Sequence, residues 1–173
     1  DLPIILMGYY NIIFHYGIKK FVNNCKKNGV DGLIIVDLQP EEDSDLISEL
    51  KDKKIDLIRL ITPTTDENRL KLILQNASGF LYYVTITGIT GQHSANIEEL
   101  KKSIKLIKSN SKLPIVAGFG VKNPEDVKQI SKIADGVVVG SSIVKIIEEN
   151  QEDEDKMLML IDNFTNKLKE ATL

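Results

Sequence analysis

The chain has 173 residues, 42% hydrophobic and 27% charged, with 11 glycines and 5 prolines, a balance that excludes disordered, fibrous and disulfide-built classes and suits one globular domain with a sizeable core. Its 22 basic and 25 acidic residues give a net charge of -3 and are interleaved, so no basic face is large enough to neutralise a run of nucleic-acid phosphates. No apolar run approaches the roughly eighteen residues of a membrane span, and DLPIILMGYY at the start has no basic region ahead of its apolar stretch, so neither nucleic acid nor membrane is an expected partner and the cytoplasm is the expected compartment.

Short apolar runs of strand length alternate along the chain with longer segments of helical periodicity. The runs are PIILMGY from Pro3, GLIIVDL from Gly32, DLIRLI from Asp56, GFLYYVT from Gly79, PIVAGFG from Pro114 and GVVVGS from Gly136. They are nearly continuous Ile, Leu and Val, as expected of parallel strands covered on both faces. The spacing predicts helices over 18–28, 41–53, 67–75, 97–109 and 125–133, then a last pair from Ser142 and near Asp155. Asp66 before Glu67 supplies cap chemistry, as does Asn123 before Pro124 in the first turn of its helix. The single cysteine, Cys25, lies in the helical stretch FVNNCKKNG and reads as a half-buried structural thiol. His15 and His93 stand in no metal-ligand spacing, and the acidic run 148–155 reads as a solvated linker between helices.

Six β/α units fit an open doubly wound sheet or a barrel. The barrel is favoured because no GxGxxG follows the first strand, while glycine-rich turns follow the last two, where (β/α)8 barrels bind phosphate. A complete barrel runs to roughly 250 residues at about 30 per unit, so the chain is expected to lack about two or three units, and it begins abruptly on an apparent strand.

The two turns are Gly118-Phe119-Gly120-Val121 and, about twenty residues on, Gly140-Ser141-Ser142. Glycines let backbone N–H groups approach an anion, Ser141 adds a hydroxyl, and the helix that follows, with a short piece over 143–149, points its positive end at the site. A third glycine-bearing stretch, TGITGQHS over 87–94, reads as a loop at the catalytic rim suited to covering a small ligand, or as a plain surface loop.

Six stretches in order, LMGYYN (6–11), GVDGLIIVDL (29–38), TPTTDENRL (62–70), GFLYYVTITGITG (79–91), GFGVKNPEDV (118–127) and ADGVVVGSSIVKII (134–147), resemble tryptophan synthase alpha chains from the family's third barrel strand to its last helix. The resemblance implies an α/β fold, an incomplete (β/α)8 TIM barrel with strands 3 to 8 present, forming a single phosphate-binding domain over 1–173 without its first two β/α units. It also implies a carbon–carbon lyase of tryptophan biosynthesis. Such an enzyme splits indole-3-glycerol phosphate into indole and glyceraldehyde 3-phosphate by a retro-aldol step and passes indole to a beta chain, within an alpha-beta-beta-alpha heterotetramer. No cofactor and no metal are expected.

Carried over residue by residue, the phosphate is held at Gly91, Gly120, Gly140 and Ser141, Thr90 belongs to the closing loop, and Tyr9 and Tyr82 match positions beside the indole and glycerol parts; Phe119 completes the substrate-binding set. Retro-aldol cleavage needs a general acid and a general base on opposite sides of the breaking bond. In the family these are a glutamate and an aspartate upstream of anything that aligns here, so no catalytic residue is expected in this chain. Asp37 matches a family aspartate at the rim, but VDLQPEE reads as strand end, turn and helix N-terminus. Where the family usually has proline near the beta chain, this chain has Gln39, with Pro40 after it. Tyr9 takes the inward place at the end of the first strand, so Tyr10 and Phe14 are expected to pack or to contact a partner. The alternatives are another sugar-phosphate barrel enzyme, such as an isomerase of histidine or tryptophan synthesis, or a non-catalytic ligand-binding or regulatory subunit.

Overall fold

The computed structural model describes residues 2–84, 93–118 and 120–173, the side chains of 93–96 excepted. Strand β1 (Ile5–Gly8) is followed by α1 (Tyr10–Tyr16) and α2 (Ile18–Lys27), and β2 (Gly32–Ile35) by a 3-10 turn (Pro40–Glu42) and α3 (Ser44–Leu50). Then come β3 (Asp56–Ile61) with α4 (Glu67–Leu74), β4 (Leu81–Val84) with α5 (His93–Asn110), and β5 (Ile115–Gly118) with α6 (Pro124–Ile130). Last are β6 (Gly136–Val138), α7 (Ser141–Glu149) and α8 (Glu154–Glu170). Sheet order repeats chain order from β1 to β6. A doubly wound sheet reverses its order at a switch point, so the topology is that of consecutive barrel units. The residues form two compact units, 1–82 with 107–114 and 83–106 with 115–173.

In the first unit β1 runs parallel to β2, Ile5 opposite Gly32, and β2 parallel to β3, Gly32 opposite Asp56. All four residues of β2 are buried, as a strand covered on both faces requires. Leu33, Ile35 and Leu57 gather with Ile13 of α1, Val22 and Cys25 of α2, and Leu46 and Leu50 of α3. Val22 and Cys25, like Leu46 and Leu50, fall three or four apart and so share one helix face. Cys25 is more deeply buried than expected, and that burial raises its thiol above the ordinary range, against a smaller opposing backbone hydrogen bond.

In the second unit β5 runs parallel to β6, with Val116 opposite Gly136 and Gly118 opposite Val138. Ile115, Ala117, Val127 and Ile130 are buried there, α6 packs on β6 and α8, and α7 packs on α8. The caps read from sequence form: Asp66 accepts the Arg69 N–H at 2.8 Å, and Asn123 accepts the Asp126 N–H at 3.0 Å.

A repeated clasp joins strand starts. Asp31 accepts the Ile4 N–H at 2.8 Å through its carboxylate and donates its own N–H to the Ile4 carbonyl at 2.9 Å. Asp135 makes the same pair with Ile115, at 2.9 and 2.8 Å, and the Ser78 hydroxyl and N–H make it with Leu57, at 2.9 and 3.0 Å. Each clasping residue stands directly before a glycine, at Gly32, Gly79 and Gly136.

Two elements depart from the sequence reading. Residues 10–16, for which no helix is expected, form α1, so Tyr10 and Phe14 lie four apart on one helix face with ring centroids 6.2 Å apart, and not on an alternating strand. The segment is rich in aromatic and β-branched residues and has neither an acidic first turn nor a side-chain cap of its own. Its start is set from elsewhere: Asp37 Oδ1 accepts the Tyr10 N–H at 2.7 Å, so a carboxylate of the next β/α unit does the capping. The helix expected over 41–53 is instead the 3-10 turn followed by α3, and at the junction the Asp43 carboxylate pairs with Arg59 and makes no cap hydrogen bond.

Candidate active site

The turn after β5 and the first turn of α7 are joined. Ser142, second residue of α7, donates its hydroxyl to the Val121 carbonyl at 3.0 Å, and Val121 is buried. Gly120 next to it has φ +57, a left-handed conformation that glycine adopts without a Cβ penalty. Gly140 is the N-cap of α7, at φ −120 and ψ −76, and its carbonyl accepts the Ile143 and Val144 N–H groups at 2.9 and 3.1 Å. A Cβ built at Gly140 meets nothing within 4 Å among the described residues. The first turn of α7 holds no acidic residue, and Ser141 within it is exposed. First-turn N–H groups at a positive helix end, with an exposed serine among them, are donors that can receive an anion.

Three of the expected substrate-binding residues, Thr90, Gly91 and Phe119, lie outside the described residues, as does most of the loop expected to close over the ligand. Tyr9 follows β1 in extended conformation, φ −110 and ψ 145, and is 55% exposed. Tyr82 is half-buried, and burial raises its phenol above the ordinary value. Its neighbour Tyr83 is fully buried and donates to Ser103 of α5 at 3.0 Å, so Tyr83 faces the helix and Tyr82, one residue along the strand, faces the opposite way.

Asp37 is not a loose carboxylate, since it is bonded to the Tyr10 N–H. Gln39, where the family usually has proline, places Oε1 3.3 Å from Arg69 Nη2, and Arg69 also pairs with Glu41. The Glu41 carboxyl is held below its ordinary value by a backbone hydrogen bond and by that Arg69 contact. His15 is occupied locally, its Nδ1 2.8 Å from the Asn11 carbonyl. Sequence reasoning missed Arg59 and Asp43, a fully buried ion pair; the visible signal was a lone arginine within the apolar strand DLIRLI.

Among the described residues no helix is long and apolar enough to cross a membrane. The family model for the tryptophan synthase alpha chain matches residues 1–173. The chain is 40% identical to tryptophan synthase subunit alpha from Campylobacter jejuni, with TM-score 0.86, over 95% of this chain and 65% of that one. It is 35% identical to the alpha subunit from Legionella pneumophila str. Paris, with TM-score 0.87, over 99% of this chain and 63% of that one. A third similar structure, from the tryptophan synthase a2b2 complex of Pyrococcus furiosus, is 31% identical with TM-score 0.85, over 97% of this chain and 67% of that one. The chain thus spans slightly less than two thirds of the length of the Campylobacter and Legionella subunits. Its fold is α/β, an incomplete (β/α)8 barrel with six parallel strands. On the match over 1–173, the chain belongs to the tryptophan synthase alpha chain family.

Proposed function

We propose that this chain serves the retro-aldol cleavage of indole-3-glycerol phosphate to indole and glyceraldehyde 3-phosphate, a lyase step of tryptophan biosynthesis, as one phosphate-binding barrel domain. The observation that carries the reading is the Ser142 to Val121 hydrogen bond, which sets the Gly120 turn beside the N-terminus of α7. A phosphate monoester carries up to two negative charges and needs several convergent donors, which backbone N–H groups at a helix end supply without side-chain rearrangement. In this reading Gly91, Gly120, Gly140 and Ser141 hold the phosphate with Phe119 beside them, Thr90 acts in the closing loop, and Tyr9 and Tyr82 contact the indole and glycerol parts. Tyr82 faces away from α5, which leaves its ring for a ligand.

Cleavage requires protonation of the indole ring carbon and removal of the proton from the adjacent hydroxyl. Asp37 is spent on the Tyr10 N–H and is assigned no proton transfer. The acid and base are the glutamate and aspartate that the family carries ahead of the matched stretches. The indole formed is handed to a beta chain in an alpha-beta-beta-alpha assembly in the cytoplasm. The solved Pyrococcus furiosus relative, an a2b2 complex, supports that partner. The reading is tested by titrating the protein with glycerol 3-phosphate and with inorganic phosphate. Saturable binding of glycerol 3-phosphate that is lost in Gly140→Val is expected, and binding insensitive to that substitution removes the cup.

A further inference from the structure

We propose that Arg59 is a positioning residue that holds the turn carrying Tyr9 and Tyr10 in place, through the Leu38 carbonyl and the Asp37 carboxylate. Arg59 sits in β3 and is 5% exposed, and its partner Asp43 is 3% exposed. Arg59 Nη2 pairs with Asp43 Oδ2, and its Nη1 donates to the Leu38 carbonyl at 3.2 Å. Asp43 is fixed in turn by Asn76, whose Nδ2 lies 3.2 Å from both of its carboxylate oxygens. The residue before Leu38 is Asp37, whose carboxylate receives the Tyr10 N–H at 2.7 Å, while the Val36 N–H donates to the Gly8 carbonyl at 3.0 Å. The ends of β1 and β2 are therefore tied together around Tyr9, and the tie is anchored by one guanidinium in the third strand.

A stability role alone explains this arrangement poorly. Replacing a buried ion pair by apolar residues of similar volume is often neutral or stabilising, so charge is a costly way to fill a core. Arg59 Nε has no partner among the described residues, and burial lowers the guanidinium from its ordinary range, as does the charge of Arg69, against a smaller opposing effect of Glu41. What a guanidinium adds is a planar fork that addresses two acceptors in fixed directions, which an ammonium cannot reproduce. Here the two acceptors are a helix-start carboxylate and a rim carbonyl. The geometry fits a device that fixes where the rim turn sits, not one that merely compensates a charge.

The functional half of this inference rests on Tyr9 touching substrate, as proposed above. Two variants test it in the full-length protein. Arg59→Lys keeps a cation beside Asp43 and gives up the fork, and Arg59→Met with Asp43→Asn removes both charges together, so that neither leaves a buried charge alone. In both, hydrogen exchange of the Tyr10 N–H is expected to quicken at least about tenfold. kcat/KM for indole release is expected to fall by about tenfold or more, as misplacement of a contact by a fraction of an ångström can cause. The glycerol 3-phosphate Kd of Arg59→Lys should stay at the parent value, which a general loosening of the fold would not leave unchanged, while its melting temperature falls because a buried carbonyl loses its donor. In a Tyr9→Ala background the Arg59→Lys loss should vanish, since both changes remove the same contact. Folded variants with parental Tyr10 exchange and parental kcat/KM overturn the proposal. Faster Tyr10 exchange with a Tyr9→Ala protein of parental activity supports the positioning and overturns only the substrate contact of Tyr9.

Discussion

At the scale of single residues, the two cup glycines are not equivalent. Gly120 at φ +57 is held in a conformation where a Cβ is strained whatever the space around it, so Gly120→Val changes both backbone and cup. Gly140, at φ −120 and ψ −76, does not need the left-handed conformation, and a Cβ there meets nothing within 4 Å among the described residues, so Gly140→Val fills the proposed anion's space without a steric clash. The expected outcome is loss of glycerol 3-phosphate binding in both variants, with the larger fall in melting temperature for Gly120→Val, measured by thermal unfolding and calorimetric titration. Ser141→Ala should do less: one hydroxyl hydrogen bond contributes roughly 1 kcal/mol, about fivefold in Kd.

At the scale of elements, the clasps before β2, β4 and β6 make a graded prediction. The Asp135 carboxylate receives the Ile115 N–H in a partly buried place, whereas the Asp31 to Ile4 bond is exposed. Leaving a donor unsatisfied costs more where water cannot replace the lost partner. Asp135→Ala should therefore lower unfolding stability by about 1–3 kcal/mol and Asp31→Ala by less, read from urea midpoints at unchanged slope. The clasps were not read from the sequence: Asp31-Gly32, Ser78-Gly79 and Asp135-Gly136 stand at or shortly before even-numbered strands, yet no local rule says that their side chains reach back to the preceding odd-numbered strand. The helices that carry their own signals were legible: Asp66 and Asn123 cap where they stand. Helix α1 was not, because its capping carboxylate, Asp37, lies 27 positions away in sequence. The Asp43 to Arg59 pair was hidden for the same reason, Arg59 standing 16 positions on in β3. The join between the turn at Gly120 and the helix start at Gly140 falls where the glycine-rich turns stand in the sequence, because such turns declare themselves locally, while the lone arginine in DLIRLI showed that Arg59 was unusual without showing its partners.

At the scale of the molecule, the division of labour in the proposed reaction leads to the last prediction. The residues matched to the family supply the proposed phosphate cup and the tyrosine positions, and three of the carboxylates after β2 are already engaged: Asp37 with a backbone N–H, Asp43 with Arg59, and Glu41 with Arg69. General acid and base groups typically contribute about 10²- to 10⁴-fold each, so a polypeptide with the cup alone should bind glycerol 3-phosphate yet cleave indole-3-glycerol phosphate no faster than background. Residues 1–173 by themselves and a chain extended by two β/α units ahead of Asp1 separate the two tasks, with indole release and phosphate binding measured on both. Binding by both with indole release only from the extended chain is the expected result. It would leave the described segment the tasks of anchoring the phosphate and forming barrel wall. Turnover by residues 1–173 alone would instead require a proton donor and acceptor within them. Asp37→Asn would then be the first variant to make, because it exchanges the carboxylate for an amide that can still accept the Tyr10 N–H, so lost turnover with an intact α1 would move the chemistry onto that residue.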